Sequence, residues 1–300
     1  MSGTGGQGGP RAGAIHDIGY RHYDGPRLGL GAIRQSLAVH SLRGNFGLGR
    51  TARSKVMPIL LLVIMLLPAV VIAAIVALTD ADKLPVRYPA YAINLQVVIT
   101  VFLAAQSPQS VSRDLRFNVI SLYFSRPLTR RAYVDAKLAA MSGAVFVLTA
   151  LPLLLLFGGA MLAGMPLWSN LRGLGEGLVA VAVLAIVLAS IGLTVAAFTP
   201  RRGIGVAAIV AALLVLAAVA GIVQGISRDQ GSRAGAGWAG LMSPYSLVDG
   251  VRVWLFGGPS ATVAGPPGNA GGLVFALVTV ALVAGCYALL LVRYRRVTVS

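Results

Sequence analysis

The sequence predicts an all-α membrane protein of six transmembrane helices, and three observations predict it. Hydrophobic residues make up 57% of the 300 and charged residues 11%, with a mean hydropathy of +0.81. So little polar surface cannot clothe a soluble core of that size, which makes a bilayer the solvent for most of the chain. Six apolar runs each approach the roughly 20 residues that a helix needs to cross about 30 Å of hydrocarbon. Lys and Arg are distributed unevenly between alternate connections, as they are when one side of a membrane is cytoplasmic. The formal charge of +16 follows from that asymmetry. Nucleic acid is not the expected partner, because the basic residues lie between apolar runs with few aromatics to stack bases.

Residues 1–29 open with MSGTGGQGGPRAG, which is Gly-rich and without apolar periodicity, so a disordered or irregular cytoplasmic N-terminus is expected. Its glycines are not followed by the Lys-Ser or Lys-Thr of a phosphate loop, so this chain is not expected to hydrolyse ATP and is no enzyme. His16, His22 and His40 precede the first apolar run, and the single Cys286 lies within another. That ligand count argues against a metal site and against an internal disulfide.

Residues 30–55 carry Leu30, Ile33, Leu37 and Leu42 at near-helical spacing, with Arg34, His40 and Arg43 between them. This suits an amphipathic helix in the headgroup layer, the alternative being one packed on cytosolic protein. A single six-helix membrane domain then occupies 56–300, with spans expected at 56–78, 88–106, 138–162, 177–198, 204–223 and 273–292. The first span is read as no cleaved signal, since its core exceeds an h-region. Pro152 and the pair Gly158-Gly159 are expected to bend the third.

With a cytoplasmic amino terminus, the inside connections hold eight, six, two and three Lys or Arg, against six in all the outside ones. Both termini are therefore expected in the cytoplasm of a multi-pass plasma-membrane protein. The last outside connection, 224–272, contains SPYSLVDGVRVWLFG. There Ser243 is a ready N-cap, Pro244 the first helical residue, and Leu247, Val251, Trp254 and Leu255 recur at helical spacing. A short amphipathic helix, hairpin or re-entrant segment at the outer leaflet is expected, between flexible Gly- and Pro-rich flanks.

The polar stretch 107–137 interrupts the second and third apolar runs. Ser107-Pro108 reads as a helix start, after which Val111, Leu115, Val119 and Leu122 share one face while Arg113, Arg116 and Tyr123 lie elsewhere. Pro127 ends that helix, because the residue before a proline is pushed out of the α region. A second start at Thr129 leads through Arg130, Arg131, Tyr133 and Lys137 into the third span. A short cytoplasmic helix, a turn and a rod that enters the membrane can transmit a displacement without loss through a slack loop.

Within this stretch Ser125, Arg126, Pro127, Leu128, Arg130, Tyr133 and Lys137 spell S-R-P-L-x-R-x-x-Y-x-x-x-K. The pattern resembles the loop between spans two and three of ABC type-2 permeases, the transmembrane subunits of ATP-binding-cassette exporters. Arg113-Asp114-Leu115-Arg116 stands where those permeases often carry an acidic residue before their coupling helix, with Asp114 in place of the commoner glutamate. Asn118 stands where a small hydroxyl residue is frequent. The six spans, the helix before the first and the helical segment before the sixth are also similar, and the opening GYRHYDGP resembles actinobacterial members.

The resemblance implies that the 107–137 segment is a coupling region that inserts in a groove on a cytosolic ABC ATPase subunit. Its contacts would be Arg113, Asp114, Arg116, Leu122, Tyr123, Arg126, Pro127, Arg130, Tyr133 and Lys137. ATP and Mg would sit on that partner, with no cofactor bound here. A second six-span permease, itself or a paralogue, would complete the dimeric pathway, and transport would be export. The same arginines can instead anchor the inner face to anionic membrane lipid.

None of the six expected spans carries a charge, which argues against an ion-coupled transporter and an intramembrane hydrolase. Glu176 and Asp249 read as solvated rim charges. Asn94, Gln96 and Thr100 in the second span are expected to face a lumen for a hydrophobic or amphipathic substrate, the alternative being hydrogen bonds between packed helices. The rival reading of the whole chain is a membrane scaffold or assembly factor that recruits a cytosolic partner or lipid.

Overall fold

A computed structural model describes residues 29–49, 51–79, 83–112, 128–199 and 201–295, together with Gly25 and Ala81. Among them every regular element is helical: α1 (Leu30–Asn45), α2 (Ala52–Thr79), α3 (Tyr88–Asn94), α4 (Gln96–Ser107), α5 (Arg130–Leu162), α6 (Leu167–Phe198), α7 (Arg202–Asp229), α8 (Arg233–Ala239), α9 (Pro244–Phe256) and α10 (Gly268–Arg295). Helices α2, α5, α6, α7 and α10 are each long and apolar enough to cross a membrane, and α3 with α4 make a sixth candidate that is bent by 62°. This is the architecture of a multi-pass membrane protein.

Helices α5 and α6 pack along one another at the centre, with α2 and α1 against α5, and α3 and α10 against α6. About half of the most apolar stretch of α5 and α6 is buried, against 22%, 17% and 22% for α2, α7 and α10. The outer helices turn large apolar side chains outward, such as Leu60, Val63 and Leu67 on α2 and Leu277 and Val280 on α10. Outward leucine and valine over whole helices is what hydrocarbon as a solvent permits and water does not.

Small residues set how close the helices come. A Cβ at Gly159 of α5 would overlap Ala73 of α2, and one at Gly192 of α6 would stand 2.7 Å from Ser107 Oγ. In lipid, where apolar burial drives little association, such backbone approach provides the van der Waals contact that holds helices together. Gly250 of α9 meets Phe275 of α10 in the same way, and Gly272 of α10 meets Trp254 of α9.

Several expectations change. The apolar run from Leu138 belongs to a longer helix that begins, as expected, after Thr129, whose hydroxyl accepts from Ala132 N at 3.2 Å, and that continues through Pro152 and Gly158-Gly159 to Leu162. The helix at 30–55 is two pieces: α1 lies along α5, with Leu37, Ser41 and Asn45 buried and Asn45 Nδ2 donating to Ala140 O, whereas Ala52–Lys55 already belong to α2. The turn between them passes Gly47, whose φ of +70 suits only glycine comfortably.

Ser107-Pro108 is not a helix start. Helix α4 passes directly into a π-helical turn, Pro108–Ser112, because a proline ring removes one donor and displaces the carbonyl four residues back, which widens the turn. The helix beginning at Pro244 does carry the expected Ser243 cap, yet it is not amphipathic at a surface. Every residue from Pro244 to Arg252 is buried among α6, α7 and α10.

Replacing Gly250 by Val forces a branched side chain into the Phe275 ring. The expected result is a loss of about 1–3 kcal/mol, the usual range for overpacking, read as a lower unfolding temperature of the purified protein in detergent.

Candidate substrate cleft and coupling end

The second span breaks at Leu95, whose φ of −103 and ψ of 24 lie outside the α-helical range. The apolar pattern runs straight through this point, so local sequence does not announce the break. Tertiary bonds flank it: the Tyr91 hydroxyl donates to Met65 O at 2.6 Å before it, and the Tyr245 hydroxyl donates to Gln96 O at 3.1 Å after it. Met65 lies one turn before Pro68 of α2, in the part of the helix where the ladder is loosened by the missing proline donor.

Beside the break lies a cleft of about 570 Å³. Asn94 and Gln96 line it from the two halves of the span, facing Gln224 of α7, Ser243 and Ser246 at the start of α9, and Thr262. Two of the three residues expected to face a lumen therefore do line one cleft. Thr100 does not. It is fully buried and shares a 2.7 Å hydrogen bond with the Tyr245 hydroxyl, so it spends its polarity joining α4 to α9. The polar part of the cleft lining is amide and hydroxyl, set among apolar residues such as Ile93, Ala217 and Val263, with no charged side chain.

The wall of the cleft is held by an ion pair between Asp249, expected to be a solvated rim charge, and Arg252. Asp249 and Arg252 are 2% and 6% exposed. Arg252 donates to Asp249 Oδ1 through Nε (3.2 Å) and Nη2, while Asp249 Oδ2 accepts from the Ser260 hydroxyl, Ala261 N (2.8 Å) and Thr262 N (3.3 Å). Nη2 also reaches Pro259 O at 3.0 Å. Asp249 is thus no solvated rim charge: its carboxylate nucleates the 259–262 turn, and Arg252 neutralises it. Glu176 lies within α6 and not before it, and pairs with exposed Arg172 at 3.0 Å, a surface contact of small worth. The signal for the buried pair was two opposite charges three residues apart in an otherwise apolar helix.

At the opposite end of the bundle, Arg113, Asp114, Arg116, Leu122, Tyr123, Arg126 and Pro127 lie outside the described residues. The other three expected coupling residues are described. Arg130 opens α5 and is half-buried. Tyr133 is fully buried, its ring meeting Tyr294 edge-on at 5.1 Å. Lys137 is 8% exposed, and its ammonium donates to Ser110 O at 2.8 Å while lying 5.5 Å from the Tyr133 ring centre. Tyr133 and Lys137 are therefore inside the bundle, where they join α5 to the π-helical turn and to α10.

Asp135, which the sequence reading passed over, accepts from the Tyr287 hydroxyl of α10 at 2.8 Å and lies 3.9 Å from Arg34 of α1. A lone acid in the run RRAYVDAK was its visible signal. Nearby, Arg293 donates to Ala197 O at 3.2 Å. Among the described residues no three His, Cys, Asp or Glu side chains come together as a metal would require. Compared with known proteins, the chain matches no family model and no curated sequence.

The Asp249–Arg252 pair gives a sharp expectation. Asp249→Leu leaves an uncompensated buried guanidinium and is expected to lose about 3–5 kcal/mol, whereas Asp249→Leu with Arg252→Met is expected to recover most of it. Unfolding in detergent reads the energies, and proteolysis at 257–267 reads the release of the loop.

Proposed function

We propose that this chain is the permease subunit of an ABC exporter. With a second six-span permease it forms the pathway for an amphipathic substrate, driven by ATP hydrolysis in separate cytosolic subunits. The observation that carries the reading is the Lys137–Ser110 bond, because those two residues border the stretch whose motif resembles a coupling loop. A push on that stretch reaches the start of α5 and the end of α4 together, through a desolvated, charge-assisted hydrogen bond and not through slack chain.

From there the displacement has a path. Helix α5 is one rod of 33 residues, and α4 leads from the Ser110 end back to the break at Leu95, beside which Asn94 and Gln96 line the cleft. Tyr133 and Lys137 serve this reading as positioning residues, while contact with the ATPase falls to the arginines of the intervening stretch and to Arg130. The cleft supports a substrate with an uncharged hydrogen-bonding head, and the apolar outer faces support a ligand that enters from lipid.

Two measurements test the proposal. Membranes expressing the full chain with its native ATPase partner should yield a Walker-motif subunit on purification, and Arg126→Glu with Arg130→Glu should abolish that association. Recovery of no such subunit from gently solubilised membranes would instead favour the scaffold. Gln96→Ala should change substrate-stimulated ATPase activity or substrate range severalfold. Thr100→Val should mainly weaken packing, by about 0.6 kcal/mol, and an equal effect of both on transport would sink the assignment of the cleft.

A further inference from the structure

A second cavity, of about 830 Å³, opens between the end of α7 and the start of α10. Its only charged lining residues are Arg228 and Arg233, and the rest is Gly, Ala, Val and Pro from 231–236 and 263–268. We propose that this pocket binds the phosphate headgroup of an anionic membrane phospholipid. The inference stands apart from the transport reading and holds whatever the bundle moves.

The chemistry starts from the two guanidiniums. Arg228 Nη1 donates to Val263 O at 2.8 Å, which fixes the side chain across the α7–α10 gap while its other donors have no partner among the described residues. The Arg233 guanidinium has no hydrogen-bond or ion-pair partner among the described residues, while its backbone N donates to Gly231 O. No carboxylate lines the cavity, so nothing within it competes for the arginines. Asp229 follows Arg228 in the chain but is exposed and does not line the pocket. Planar guanidiniums offer paired N–H groups that match phosphate oxygens, and the small lining residues leave the space unfilled.

Location decides which phosphate. The pocket sits where two membrane-length helices of 28 residues each end, the level at which hydrocarbon gives way to headgroups. Directly along those helices Ile222, Val223 and Ile226 of α7 and Leu273 and Leu277 of α10 face outward, and Trp238 of α8 is 42% exposed. Acyl chains lie against the first set, and an indole at headgroup depth is the usual anchor of that layer. Val263 lines both this pocket and the Gln96 cleft, so a bound headgroup bears on the loop that walls the cleft.

The test uses the full-length protein in detergent and in nanodiscs. Native mass spectrometry should show phosphatidylglycerol retained over phosphatidylcholine, with Arg228→Gln plus Arg233→Gln weakening retention by about tenfold. Arg228→Lys plus Arg233→Lys, which keeps the charge, should restore part of it, and Arg172→Gln, at a different surface, should leave it unchanged. Unaltered phosphatidylglycerol retention in the double Gln variant overturns the proposal. Thermal stabilisation by inorganic phosphate equal to that by phosphatidylglycerol would also overturn it, by showing a free-anion site.

Discussion

Hydrocarbon offers a buried polar group no partner, so most of those in this bundle find theirs inside the chain, Gln106 Nε2 and the hydroxyls of Ser107, Ser110 and Ser142 being buried exceptions without a hydrogen bond to a described residue. That constraint explains where the helices touch. Backbone groups are satisfied within helices, and the hydroxyls of Thr149, Ser190, Thr194 and Thr279 fold back on carbonyls of their own helix. Among the bonds that run between elements are Tyr91 to Met65, Tyr245 to Gln96, Lys137 to Ser110 and Asp249 to the 260–262 turn. Each lies at a place where regular helix is broken, capped or widened. Glycine and alanine contacts bring the helices close enough for these bonds to form, and the bonds then select one register.

The same constraint gives the two ends of the bundle different characters. At the α5 N-terminal end, an ammonium rests on a carbonyl and an aromatic face, contacts that join α5 to the π-helical turn and, through Tyr133 and Tyr294, to α10. At the other end, a neutralised carboxylate organises a loop whose outer side faces Arg228 and whose inner side walls the Gln96 cleft. On the proposed reading these are an input and an output joined by α4 and α5. Buried pairs of this kind add little net stability, because desolvation offsets attraction; what they contribute is a defined geometry for the loop they hold.

Parts of this were legible from residue order. The Ser243 cap with Pro244 and the Thr129 start both open helices, and the six apolar stretches all lie in helix, five as single helices and the second as a bent pair, because capping and hydrophobic length are local properties. Some helices extend past the expected bounds, as with α6 beginning at Leu167 and α7 reaching Asp229, because polar residues continue a helix past the hydrocarbon at no penalty. Of the cleft, Asn94 and Gln96 were legible as polar residues in an apolar run; Thr100 looked the same and is spent on Tyr245, a residue 145 positions away.

Composition and hydropathy by themselves determined the solvent of this protein, its helical class and the number of its apolar rods, since transfer of side chains to hydrocarbon is additive along a chain. Tertiary structure alone decided that the second rod breaks at Leu95, that Asp249 and Arg252 are partners in the interior, and that Lys137 faces Ser110. Those outcomes depend on which carbonyl or carboxylate another helix brings within 3 Å, and residue order carries no record of that distance until the helices have packed.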